Sequence, residues 1–186
     1  MKQTKKIFIE LALNRFQDLL NENFLEIDSK TKLITLQNGF AIFDELVSEK
    51  RINFYFKKQS VKREEFEPME NIFNALRNYF VHFPIFNSFE ECFIQKDFIK
   101  WNKVQKHSAI DNFFTNFANQ SGLVFCFEAK EGISKSFETK FTPPIGYNEG
   151  KKVFLRDVLD DNSLNFIFLL MKGILEQEFP NFYTQT

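Results

Sequence analysis

Apolar residues in the first part of the chain recur at helical spacing. Ile9, Ala12, Leu13, Phe16, Leu19, Leu20 and Phe24 form one stripe, which predicts a helix within residues 4–26. Asp28-Ser29-Lys30 reads as a turn. Leu36, Phe40, Phe43 and Val47 predict a second helix over about 35–50, weakened by Gly39. Ile52-Asn53-Phe54-Tyr55-Phe56 alternates like a strand and equally continues a helix, because so short a run has no decisive period. Lys57 to Glu65 is charged and belongs at the surface. Met69, Ile72, Phe73, Leu76, Phe80 and Phe83 then fall at three- and four-residue steps, one face of an amphipathic helix with Pro68 in its first turn. The residue before a proline avoids the helical region, so Pro84 predicts a stop at about Phe83.

Ser88-x-x-Glu91 reads as a capping box that starts a further helix near Phe89, burying Ile94, Phe98 and Trp101. Lys96, Lys100 and Lys103 each follow one of those residues by two positions, about 200° around the axis. They form a basic stripe opposite the core, either a solvated face or a track for phosphates. Ser108 is placed to cap a helix over about 109–119, with Asp111 in its first turn and Gly122 ending it. The period then changes to two. Leu123 to Phe127, the turn signal Glu131-Gly132 and Ser136 to Phe141 predict a hairpin. After Pro143-Pro144 and Asn148-Glu149-Gly150, Val153-Phe154-Leu155 is a candidate third strand. The last helix, about 163–178, is apolar on nearly all sides from Leu164 to Leu175, as in a central helix or a subunit interface. No repeat or linker divides the chain. The expectation is a single mainly α domain over 1–186, with a small antiparallel hairpin or three-stranded insert near 123–157.

Composition narrows this picture without redirecting it. A chain of 186 residues with 44% hydrophobic content is large enough to build a core without disulfides. Phe dominates at 27 copies, and the scarcity of breakers (6 Gly and 5 Pro) favours long helices. Cys92 and Cys126 lie in apolar surroundings and read as reduced core thiols of a cytoplasmic protein. Glu10 interrupts the apolar run that follows Met1 to Lys6, and no small-residue cleavage site appears, which argues against a signal peptide. The longest apolar run, Phe166 to Met171, is too short for a membrane span. A net charge of −1 excludes binding to nucleic acid by bulk electrostatics and leaves local patches.

The chain offers one cluster equipped for chemistry. Asn78 and His82 are four apart, on one helical stripe. Arg77 points off that line, but its side chain is long enough to return. His82 falls in the last turn, beside unpaired carbonyls and the negative end of the helix dipole, where an imidazolium is favoured. A histidine titrating near neutrality both takes and gives a proton. On pattern alone, the plain alternative is three unrelated polar residues on a helix. Other chemistries fare worse. Zinc wants Cys and His at short spacing, whereas His82 and His107 are 25 residues apart and the cysteines are isolated. The acidic pairs Glu64-Glu65, Glu90-Glu91 and Asp160-Asp161 fall at helix starts and turns, so no metal and no cofactor is expected. His107 suits a surface or capping role, and Trp101 suits the core. Tyr79 is a candidate for flanking the cleft and stacking on bases.

Arg77-Asn78-x-x-x-His82 resembles the Arg-x(4–6)-His signature of the HEPN superfamily of small helical RNases, in the form with Asn directly after Arg. Leu76-Arg77-Asn78-Tyr79-Phe80-x-His82 is also similar to the motif in the nuclease domains of RNA-guided CRISPR effectors. By its motif the resemblance covers roughly residues 60–105, and the rest of the chain shares only the helical architecture. The resemblance implies a HEPN-like helical bundle acting as a homodimer, each subunit giving one set of residues to a cleft on the two-fold axis. It implies a metal-independent endoribonuclease, a toxin or anti-phage defence effector, that cuts RNA such as tRNA to a 2′,3′-cyclic phosphate and a 5′-hydroxyl. Arg77 would neutralise the pentacoordinate phosphate, Asn78 orient it, and His82 move the protons. Substituting Arg77 or His82 by Ala would then stop cleavage and leave folding intact. An antitoxin or regulatory partner is also implied. HEPN toxins often carry, two places after the histidine, a Tyr that a partner modifies. Here that place is Pro84, so neutralisation through such a tyrosine is not implied. The rival is a non-catalytic module of this type that holds RNA or a protein partner, which the Phe-rich chain and the apolar last helix also fit.

Overall fold

The structure is a computed structural model and describes residues 2–47, 54–55, 63–82, 85–97, 105–120, 123–129 and 135–183. Its longer helices are α1 (Lys2–Leu20), α2 (Ser29–Leu46), α3 (Arg63–His82) and α4 (Gln105–Phe117), followed late in the chain by α6 (Asp161–Glu178). Short α5 (Leu155–Val158) and α7 (Pro180–Tyr183) flank α6. The strands are β1 (Phe93–Ile94), β2 (Leu123–Ala129), β3 (Lys135–Phe141) and β4 (Val153–Phe154).

Asp28 ends the turn after α1 and starts α2. Its carboxylate accepts the backbone N–H groups of Lys30 and Thr31, which lie in the first turn and have no helical partner. α2 is the hub, with α1, α3 and α6 all packed on it. Phenylalanines fill the layer between α2 and α3: Phe40 stacks on Phe80 with ring centroids 5.5 Å apart, and Phe43 meets Phe73 edge-on at 5.2 Å. On the other side of α2 the Phe168 ring of α6 stacks on Phe16 at 5.9 Å and meets Phe24 edge-on at 5.1 Å. Gly39 explains itself here, because a Cβ at that position would run into the Phe168 ring. The glycine that weakens α2 in isolation lets α6 approach it. α6, with Leu164, Ile167, Met171, Ile174 and Leu175 buried, is thus central within one chain.

The β2–β3 hairpin forms as expected, with Leu123 opposite Phe141 and Ala129 opposite Lys135. Other expectations need correction. Val153-Phe154 does not extend the hairpin but pairs with β1, Phe93 facing Phe154 and Ile94 facing Val153. No α-helix begins at Phe89. Phe89–Glu91 is a single 3-10 turn, Ser88 makes no side-chain cap bond, and the Glu91 carboxylate accepts from the Asn87 amide instead. The Leu155 N–H then takes the Cys92 carbonyl at 2.9 Å and leads the chain into the ribbon. Pro68 lies inside α3 rather than in its first turn, and Ser108 lies inside α4, which starts by Gln105. Phe54 and Tyr55 are helical, which decides that pair. Phe83, Pro84, Phe98, Lys100, Trp101, Lys103, Gly122 and the turn at Glu131-Gly132 lie outside the described residues. Among the described residues no helix is long and apolar enough to cross a membrane.

Candidate functional site

Arg77 is four residues after Phe73 and three before Phe80, so it sits in the stripe that α3 presses onto α2. Asp44 is four after Phe40 and three before Val47, in the matching stripe of α2. The two meet: Arg77 Nε lies 3.4 Å from Asp44 Oδ1, with the Arg77 side chain 4% exposed and that of Asp44 32%. Arg77 Nη2 also donates to Asn78 Oδ1 at 3.3 Å. A guanidinium with few contacts to water has to be paired, because stripping its hydration costs several kcal/mol by order of magnitude. Asp44 and Asn78 supply that pairing from two sides and fix the plane of the fork. The motif does not include Asp44; its sequence signal is the repeated +4/−3 placement of one acid and one base in facing phenylalanine stripes.

Asn78 is itself buried, 7% exposed, and His82 is half-buried one turn further along, in the last described turn of α3. The four-residue spacing thus stacks them on one stripe as expected. Tyr79 is placed differently from the expectation. Its ring is 2% exposed, stacks on Phe86 with centroids 6.2 Å apart, and its hydroxyl donates to the Phe93 carbonyl at 2.9 Å. Burial pushes its phenol far above the usual range. Tyr79 ties the motif helix to β1 and offers no face to a base in this chain. Lys96 is half-buried in the turn after β1, not on a helix, so the basic stripe opposite a helical core does not form there; the structure says nothing of Lys100 and Lys103.

Cys92 is fully buried, its Sγ 3.5 Å from the Ser88 carbonyl, and burial pushes its thiol up to about 12. That suits a core thiol and not a nucleophile. The Cys126 and His107 side chains lie outside the description. Among the described residues no three His, Cys, Asp or Glu side chains gather as a metal site requires. The arrangement therefore offers a fixed cation, an amide and an imidazole at the end of one helix. Compared with family models, curated proteins and solved structures, the chain matches none.

Proposed function

We propose that the chain is a metal-independent endoribonuclease of HEPN type, working as a homodimer whose two copies of Arg77, Asn78 and His82 face one cleft. The observation that supports this is the motif at the C-terminal end of α3, with its guanidinium held in place by Asp44 and Asn78. One imidazole takes the proton of a ribose 2′-hydroxyl, and O2′ attacks the adjacent phosphorus. The bond from phosphorus to O5′ breaks, and the second subunit's imidazole protonates the departing oxygen. Arg77 balances the charge that builds on the phosphoryl oxygens, and Asp44 is a positioning residue that keeps the fork aimed. The products are a 2′,3′-cyclic phosphate and a 5′-hydroxyl. A toxin or defence role, an RNA target such as tRNA, and a cognate antitoxin or regulator belong to the same reading.

A second reading has its own support. Arg77 is 3% exposed and already paired, as a purely structural arginine would be, which favours a non-catalytic module that binds RNA or a protein. The separation uses His82, because an alanine at Arg77 also strips Asp44 of its partner. A tRNA pool incubated with protein in EDTA should give cyclic-phosphate ends. His82→Ala should cut about 100-fold more slowly or worse, while still melting cooperatively as a folded protein. Equal cleavage by the variant would remove the catalytic reading.

A further inference from the structure

The β1–β4 ribbon is unusual in that both of its faces are apolar. Ile94 and Val153 form one cross-strand pair and point into the core, 5% and 6% exposed. Phe93 and Phe154 form the neighbouring pair, so their side chains leave the opposite face, where both are only half-buried. They meet edge-on with centroids 6.4 Å apart. Cations lie over this outer face. Lys152 Nζ is 3.9 Å from the centre of the Phe93 ring and 5.2 Å from that of Phe154, and the Arg156 guanidinium is 4.7 Å from the Phe154 ring. Arg156 also reaches the Glu90 carbonyl at 3.3 Å and the Asp157 carboxylate at 3.9 Å. Among the described residues Lys152 forms no ion pair. Lys96 follows β1 at the same end of the ribbon, where the Gln95 amide reaches the Gly150 carbonyl.

Half-buried rings with cations above them match the chemistry of one polymer. Unpaired bases stack on aromatic faces while their phosphates pair with Lys and Arg. A duplex hides its base faces inside its own stack and offers only its backbone and the base edges in its grooves. The ribbon is joined to the motif helix through the bond from Tyr79 to the Phe93 carbonyl, one turn before His82. We infer that the outer face of this ribbon receives single-stranded RNA, with bases on Phe93 and Phe154 and phosphates on Lys152 and Arg156. This rests on the ribonuclease reading and restricts its substrate to unpaired nucleotides.

The test is fluorescence anisotropy with a labelled ten-nucleotide 2′-O-methyl oligouridine, free or annealed to its complement. The methylated 2′-oxygen cannot attack phosphorus, so the strand stays intact and binding is read apart from catalysis. The full-length protein should bind the free strand about tenfold more tightly than the duplex. Phe154→Leu, and separately Lys152→Gln at an exposed position, should each weaken binding about fivefold. Lys152→Gln should also lower the slope of log K against log salt by about 0.7. Binding that favours the duplex, that is absent in the wild type, or that both variants leave unchanged would overturn the inference. Protein that shows the expected binding yet never cuts unmodified RNA would uphold this surface and remove the catalytic reading instead.

Discussion

The C-terminal half of α3 and the outer face of the β1–β4 ribbon exchange the roles that their residue types suggest. On α3, an arginine, an asparagine and a tyrosine are inside, each satisfied by a named neighbour. On the ribbon, two phenylalanines are half outside, with a lysine and an arginine above them. Polarity by itself therefore does not say which residues meet a ligand. The first region has the traits of a fixed apparatus, in which groups are oriented before anything binds. The second has the traits of a contact surface, in which long cationic side chains can move off the rings.

Loss of the ion pair should be the sharpest test of that contrast. Arg77→Ala should cost about 3 kcal/mol in chemical denaturation, because it leaves a half-buried carboxylate without its partner. The double change Arg77→Met with Asp44→Leu should recover most of that loss, since it also removes the carboxylate left without its partner. RNA cleavage should stay absent in this refolded double variant. Full activity there would mean that the pair is only scaffolding.

Tyr79→Phe should cost about 1–2 kcal/mol, read in the same way, because the Phe93 carbonyl loses its donor. A measured loss near zero would mean that the strand and the motif helix are not coupled through this bond. Cys92 lies where the two regions join, and its titration gives a pH window. Its folded-state value, about 12, is above its ordinary value of 9.0. The unfolded thiol therefore loses its proton first. The stabilising contribution is complete below pH 9 and falls away progressively up to about pH 12. In a Cys126→Ser background, iodoacetamide at pH 8 should label the folded protein far more slowly than the urea-unfolded chain. Equal rates would contradict the burial of Cys92. The smallest effect belongs to the ribbon: Lys152→Gln should change stability by less than about 0.5 kcal/mol, although it alters RNA binding.

Long amphipathic stretches were readable in advance. The helices through Phe16, Phe40, Phe80 and Phe168, and the hairpin closed by Leu123 and Phe141, follow from their periods. The failures have local causes. At Ser88-x-x-Glu91 a cap signal competed with pairing between strands far apart in sequence, and the pairing to Val153-Phe154 won. No short-range pattern contains that partner. Arg77, Asn78 and His82 are visible as a motif, but the motif alone does not carry the burial of Arg77. Reading Asp44 and Arg77 as members of the two phenylalanine stripes would have given both the burial and the pair. The outward face of Phe93 was hidden for a related reason: an aromatic residue in a helical pattern reads as core, and its strand partner lies 61 positions on.

The most direct measurement is a cleavage assay on an unstructured RNA in EDTA, with wild-type protein and His82→Ala, paired with the same RNA carrying one 2′-deoxyribose at the mapped cut. The account predicts cyclic-phosphate ends from the wild type, no cut at the deoxy position, and near-complete loss in the variant. Cleavage that continues at the deoxy position, or that His82→Ala retains in full, would contradict it.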